Sequence, residues 1–421
     1  MENGELRMIC SANLSINNNS QLSTLNSQLL KGGVNLQKAC GIICEYNPFH
    51  NGHKYQIEYA KNTLGMPVVC AMSGGFVQRG EGASMDKNIR AAEALNSGAE
   101  IVLEIPFPYC SMTAEKFARA GVTVLSKSGM CSHLLFGSEC ADVEKLRKIA
   151  ELLADTQTEI DIQVYQSQNK NISYAKARSA VVSEKLGDEY TGILSNPNDI
   201  LGIEYIKAII ETGSSLIPVA LKRSVNRSEG ALGEFASSSK IRELVSAGNT
   251  EKASEYVPDG KVLSEMRDNH EFCKIMHLSL MTRKPGELKD ICEVSGGNEH
   301  ALINAAKNSG SYDEMVEAMK SKTLTDAKIR RMILFSFFGV TKEFMEKDVP
   351  YTFVLASSDS DKAKSLLRIC RKEKEIIVAR KIGAVKKDEF SSAVFDMSAC
   401  AEKVLDLSSK RHEGAVNTYQ V

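Results

Sequence analysis

Cys44-Glu45-Tyr46-Asn47-Pro48-Phe49-His50-Asn51-Gly52-His53 is the stretch on which the reading of this 421-residue chain turns. An apolar run, Ala39 to Cys44, leads into it, and a helix-compatible segment, Lys54 to Leu64, follows. The order is strand, turn, His-x-Gly-His, helix. Backbone N–H groups and the helix dipole favour anions at a helix N-terminus. His50 and His53 add donors that can follow charge as it builds on a phosphorus under attack. Gly52 lets a nucleotide approach the backbone closely. The pattern points to chemistry at the α-phosphate of ATP. Taken alone, these residues also suit two surface histidines in an Asn/Pro/Gly turn. Placement after a strand and at the mouth of a helix is what favours the nucleotide site.

Working outward, the chain alternates strand and helix signals. Strands are expected at Ala39–Cys44, Pro67–Met72, Glu100–Ile105, His133–Gly137 and Leu216–Leu221. Helices are expected at Lys54–Leu64, Asp86–Ser97, Thr113–Ser126, Asp142–Ala154 and Asp199–Thr212. That alternation implies an α/β, Rossmann-like nucleotidyltransferase domain with a parallel sheet, covering residues 39–247. Ligands of such sheets sit beyond the carboxyl ends of the strands. His50 and His53 follow the first strand, Gly137-Ser138-Glu139 the fourth, and Lys222-Arg223 the fifth. After about Gly248 helical segments take over, such as Glu287–Cys292, Tyr312–Lys320 and Lys328–Phe338. A mainly helical C-terminal domain is therefore expected over 248–421. Two apolar runs, Thr352–Ala356 and Ile376–Ala379, suggest strands of a small α/β tail. Residues 1–38 read as a disordered extension, with little charge and weak periodicity.

Other segments suggest ligand contacts. Ser237-Ser238-Ser239-Lys240-Ile241-Arg242 fits a plain helix cap or a phosphate clamp across from the histidines. Beside His-x-Gly-His the clamp is favoured, because one triphosphate can bridge two helix N-termini. Gln78 and Arg79, in the glycine-rich Ser73–Glu81 loop, are candidates for phosphate, a small acyl substrate or RNA. Lys87 and Arg90 share a helix face and either meet phosphate or pair with Glu93. Two basic groups lie further on: Lys328-Ile329-Arg330-Arg331, and a cluster from Arg368 to Lys387. Interleaved glutamates make the second a solvated helix face or an RNA contact.

Composition bounds the class. Hydrophobic content is 43% and charged content 25%, with a formal net charge of −1, so nucleic-acid contact must come from local patches. No apolar run is long enough to span a bilayer. The first residues lack a signal-peptide core, and eleven cysteines show no C-x-x-C pair and no metal spacing. They read as reduced thiols of a cytoplasmic protein.

The chain resembles the bacterial tRNA(Met) cytidine acetate ligases, a family of HIGH-motif nucleotidyltransferases. The likeness is carried by Gly41–His53 (GIICEYNPFHNGH), Met72–Gly80 (MSGGFVQRG), Lys87–Arg90, Leu103–Pro106 (LEIP), Phe136–Glu139 (FGSE), Ser173–Arg178, Pro197–Tyr205 and Ser237–Arg242. The resemblance implies that acetate is adenylated by ATP to acetyl-AMP. The acetyl group then passes to the exocyclic amine of the wobble cytidine of elongator tRNA(Met). It implies an ATP-binding segment Ile43–Gln56, including Glu45, Asn47 and Phe49, with further contacts at Gly137, Asn198 and Arg223. Ser238 and Arg242 join that set through the clamp. Mg²⁺ is expected on the departing pyrophosphate, with no protein metal site. Gly75 stands where other members often carry a polar residue. Two other readings remain at this stage: an adenylyltransferase of coenzyme synthesis, which shares the histidines and the clamp, and an inactive tRNA-binding protein.

Overall fold

The computed structural model describes residues 37–169, 172–223, 235–373, 375–386 and 388–411. The expected extension lies almost wholly outside them, as do Lys374 and Lys387 of the basic cluster.

The five expected strands form within two residues of the expected bounds: β1 (Ala39–Cys44), β2 (Val68–Ser73), β3 (Ile101–Ile105), β4 (Cys131–Ser138) and β5 (Ile217–Lys222). Between them run α1 (Asn51–Asn62), α2 (Lys87–Asn96), α3 (Ala114–Lys127), α4 (Val143–Ala154), α5 (Thr156–Gln168), α6 (Tyr174–Leu186) and α7 (Pro197–Glu211). Capping residues set most helix starts. Asp86, Thr113 and Asp142 each accept a backbone N–H from the first turn, and α7 begins with Pro197, whose fixed φ suits a first helical position. β1, β2 and β3 pair in parallel on one side, while β4 and β5 continue in parallel on the other side of β1. The sheet order therefore reverses at β1, which is where open α/β sheets leave a crevice for ligands.

The later chain contributes α8 (Ser238–Ser246), α9 (His270–Met281), α10 (Asn298–Asn308), α11 (Tyr312–Met319) and α12 (Asp326–Phe338). It then adds β6 (Tyr351–Ser357), α13 (Asp361–Cys370), β7 (Ile377–Ala379) and α14 (Glu389–Ser408). The two apolar runs assigned to a small tail instead join the central sheet, whose order is β7-β6-β3-β2-β1-β4-β5. β6 pairs antiparallel with β3. The reason is hydrophobic: β3 is buried along its whole length, and a sheet edge that apolar needs a strand to cover it. A second correction concerns Glu287–Cys292. A short 3₁₀ segment, Pro285–Leu288, followed by turns stands there instead. Pro285 starts the segment, and the Cys292 N–H donates to Val340 carbonyl rather than continuing a helix.

The described residues from Lys38 onward form one compact unit. β1 and β2 are buried throughout. α3 lies close over β1 because Gly121 faces Ile43; a Cβ at Gly121 would stand 2.7 Å from the Ile43 side chain. That close packing holds the end of β1, and with it the turn that carries the histidines.

Candidate functional site

A cleft of about 720 Å³ opens beyond the carboxyl ends of β1, β4 and β5. Its size falls within the range of small-molecule and cofactor sites. The turn after β1 makes one wall. Tyr46 takes a left-handed backbone conformation, φ 51°, and its hydroxyl lies 3.4 Å from Cys70 Sγ. This bends the chain sharply, so that the next residues face the cleft.

His50 is the N-cap of α1. Its Nδ1 accepts the Gly52 N–H at 3.0 Å, while the His50 N–H donates to His53 Nδ1 at 3.3 Å. Capping and nucleotide binding are thus not alternatives here. With both Nδ1 atoms accepting, both rings carry their proton on Nε2. Burial pulls the His50 pKa down to about 3, with the Arg223 charge adding to the effect. Burial, His50 and Arg223 hold His53 well below the usual imidazole range. The rings stack at 3.6 Å. The pair is therefore two neutral Nε2–H donors at a helix N-terminus. Gly52 has a steric reason to be glycine, because a Cβ there would lie 2.9 Å from His50 Cε1.

The second wall is α8. Ser237 caps it by accepting the Lys240 N–H. Ser238 Oγ donates to the Pro48 carbonyl at 3.1 Å, and Arg242 Nη1 donates to the Asn47 carbonyl at 2.6 Å. Two helix N-termini thus stand against one turn. The third wall links β4, α7 and β5. Asn198 Nδ2 donates to Glu139 and its Oδ1 accepts from Arg223 Nη1 at 2.8 Å. Gly137 leaves room for the Arg223 side chain, which a Cβ would approach to 3.1 Å. Asp199, fully buried, accepts from Ser138 Oγ and from the Glu139 and Cys140 N–H groups, locking the end of β4.

Most residues singled out from the sequence meet in this cleft. Ile43, Glu45, Asn47, His50, Gly52, His53, Gln56, Gln78, Arg79, Gly137, Asn198, Arg223, Ser238 and Arg242 all line it. Several of them also do structural jobs. Gln56 donates to the Leu135 carbonyl, and the Glu45 carboxylate accepts the Gln78 N–H at 2.7 Å. Burial raises the Glu45 pKa, against the pull of Arg242, Arg79 and Arg90. Phe49 stands behind the wall, its ring packed on Tyr46 and His53.

Lys87 and Arg90 are not brought to the cleft. Arg90 is completely buried and donates to the carbonyls of Met85, Glu45, Ser73 and Gly74, so it holds the loops after β1 and β2 together from beneath. Lys87 pairs not with Glu93 but with Glu104 and Glu402, both at 2.7 Å. Burial alone would lower its pKa, yet the two carboxylates outweigh burial and the net shift is upward. Burial raises Glu104 to about 7, with Lys87 opposing and Glu402 adding to the rise. Gly75 packs on the same cluster, and a Cβ there would meet Glu402 Cγ at 2.8 Å.

Within the Lys328–Arg331 group the two arginines meet carboxylates, while Lys328 and Arg330 are half-buried. Arg331 is buried against Glu293 at 3.2 Å, and Arg330 pairs with Glu81 at 3.3 Å. By contrast Arg368, Arg371, Lys372, Arg380, Lys381 and Lys386 are exposed.

Several further residues line the cleft, most of them in segments the sequence marked without singling them out. Tyr55 and Phe235, both about half exposed, face each other at 6.1 Å. Glu81, Asn196 and Tyr205 also line the cleft. Tyr55 lies inside the Ile43–Gln56 segment implied for ATP, and Glu81 closes the glycine-rich Ser73–Glu81 loop. Phe235 had no local signal. Among the described residues no group of three or more His, Cys, Asp or Glu side chains is placed to hold a metal ion, and no helix is long and apolar enough to cross a membrane.

Residues 37–418 match the family described as HIGH nucleotidyl transferase. A tRNA(Met) cytidine acetate ligase of Caldanaerobacter subterraneus subsp. tengcongensis is 34% identical over 392 residues, covering 89% of this chain and 96% of that one. The protein of that name from Thermosipho africanus is 36% identical over 324 residues, 73% and 76% of the two chains. A crystal structure of Thermotoga maritima TmcAL bound with α-thio ATP superposes with a TM-score of 0.80 at 27% identity, over 90% of this chain and 97% of that one.

Proposed function

The chain belongs to the tRNA(Met) cytidine acetate ligases, within the HIGH nucleotidyl transferase family, and we propose that it makes acetyl-AMP from acetate and ATP and then acetylates the wobble cytidine of elongator tRNA(Met). It is an ATP-using ligase. The observation that carries the first step is the pair of neutral Nε2–H donors, His50 and His53, at the start of α1. They can follow charge onto the α-phosphate without having to lose a proton first, a form of preorganised stabilisation worth roughly 3 kcal/mol per donor.

Acetate is a weak nucleophile and an anion. Arg79 and Arg242, both on the cleft wall, supply the positive charge that holds it in line with the α-phosphorus, where positioning contributes about 7–11 kcal/mol. Ser238 and the N-terminus of α8 receive the outer phosphates, while Asn198, Gly137 and Arg223 meet the nucleoside side of ATP. Mg²⁺ carried on the phosphate oxygens of ATP would neutralise charge on the departing pyrophosphate. In the second step the cytidine amine replaces AMP on the acetyl carbon. An anticodon loop offers that base unstacked, at lower cost than a duplex would.

The exposed cations Arg368, Arg371, Lys372, Arg380, Lys381 and Lys386 form the surface best suited to tRNA phosphates. A reducing cytoplasm suits the cysteines, ten of which are described and free. A coenzyme-type adenylyltransferase is disfavoured because the later chain completes the central sheet and pairs, through Arg330, with the cleft-wall residue Glu81, instead of standing apart. ATP–pyrophosphate exchange, run with and without acetate and then with total tRNA, tests the proposal. Acetate-dependent exchange is expected. Exchange that ignores acetate but responds to a phosphate ester would overturn it.

A further inference from the structure

A smaller chamber of about 200 Å³ adjoins the nucleotide cleft. A water takes up roughly 30 Å³, so the space suits a single six-membered heterocycle with its substituents. Asn47, Glu81 and Arg242 border both spaces. Asn47 lies three residues before His50, so the opening is in the same turn that presents the histidines. The far wall comes from helices of the later chain: Cys273 on α9, Tyr312 on α11 and Arg330 on α12. The Arg330 guanidinium sits 5.5 Å over the Tyr312 ring, and its Nε lies 3.3 Å from a Glu81 carboxylate oxygen.

Unstacked RNA bases are commonly received on aromatic rings and guanidinium planes. A carboxylate at the edge of such a platform selects a base that offers a donor, and cytosine N4 is the usual partner of Glu in base readout. Uracil presents an oxygen at the same position and would leave the carboxylate facing another acceptor.

We propose that this chamber is the acceptor site, taking an unstacked pyrimidine with an exocyclic amine, stacked on Arg330 and Tyr312, its amine held by Glu81 at the opening to the cleft. The proposal rests on the acyl-transfer reading above. In the transfer, the amine nitrogen forms a bond to the acetyl carbon and the bond from that carbon to the bridging oxygen of acetyl-AMP breaks. AMP leaves with the electron pair, and one amine proton passes to the Glu81 carboxylate.

Cys273→Phe in the full chain fills the chamber from a side chain outside the nucleotide cleft. Two rates are read: acetate-dependent ATP–pyrophosphate exchange and transfer of labelled acetate to tRNA. Exchange is expected to stay within about twofold of wild type, while transfer falls about 100-fold, the loss that misplacing a reactant produces. Intact exchange with transfer within threefold of wild type would overturn the chamber and leave the activation reading standing. Failure of the wild-type protein to exchange with acetate, even with tRNA present, would instead sink the activation reading. Should Cys273→Phe lose both rates through misfolding, Glu81→Gln decides. The ratio of transfer to exchange is expected to drop at least about tenfold, since a site built to accept a donor loses its discrimination when the acceptor is altered. An unchanged ratio would overturn the proposal.

Discussion

His50 and His53 cap one helix reciprocally: the His50 ring accepts the Gly52 N–H while the His50 N–H donates to the His53 ring, and the two imidazoles stack at 3.6 Å. The same bonds that begin α1 also fix the tautomer of both rings. Local structure and chemistry share these atoms, so a substitution at either position tests both.

His53→Ala is expected to lower acetate-dependent exchange by about 10²–10³, the usual loss for one transition-state donor. Affinity for tRNA should change little, because His53 lies in the cleft, which none of the exposed basic-cluster residues lines. Steady-state exchange and filter binding of tRNA check the two parts; an unchanged exchange rate would exclude a role for His53 at the phosphorus.

Acid should destabilise the protein through the same pair. Both histidines have folded-state pKa values below the ordinary 6.5, His50 at about 3. Between those values the unfolded chain binds more protons than the folded one. The stability they confer is complete above pH 6.5 and is lost as pH falls toward 3, at up to about 1.4 kcal/mol per unit for each group. Urea unfolding at pH 7, 5 and 4 measures it. His50→Asn, which keeps a capping side chain, should flatten part of that dependence.

Lys87→Met is expected to cost about 3–5 kcal/mol, because it leaves Glu104 and Glu402 facing each other without their cation. A second change, Glu402→Gln, should recover part of the loss by removing one of the two like charges. Chemical denaturation of the single and double variants checks this, and additive losses would show that the three side chains are not coupled.

Arg371, Lys372 and Lys381, replaced together by Gln, should weaken tRNA binding without changing exchange. The slope of log affinity against log salt should become shallower by roughly 0.7–0.9 for each phosphate that is no longer neutralised. An unchanged slope would place the tRNA surface elsewhere on the molecule.

How much of this was legible in the sequence follows from the range of each signal. β1 to β5 and most helix starts were legible, since apolar runs and Asp or Thr caps act within a few residues. The histidine pair was legible for the same reason. The fate of Thr352–Ala356 was not: its strand character shows in the sequence, but its partner β3 lies some 250 residues earlier in the chain, about as non-local as pairing becomes here. Lys87 shows the same limit. Its charge was visible, yet Glu402, which neutralises it, is 315 residues away. Arg330 and Arg331 read as part of a basic group for a partner because nothing local reveals Glu81 and Glu293 opposite them. The cleft was thus legible where one turn builds it and illegible where distant segments close it.

The most direct test of the central claim follows one oxygen atom. With acetate labelled with ¹⁸O in both positions, ATP and elongator tRNA(Met), the carboxylate oxygen that attacks the α-phosphorus stays on phosphorus when the amine displaces AMP. The account predicts one ¹⁸O in each AMP formed, in step with acetylated tRNA and with unlabelled pyrophosphate. Label in inorganic phosphate with ADP as product, or acetylated tRNA with unlabelled AMP, would contradict it.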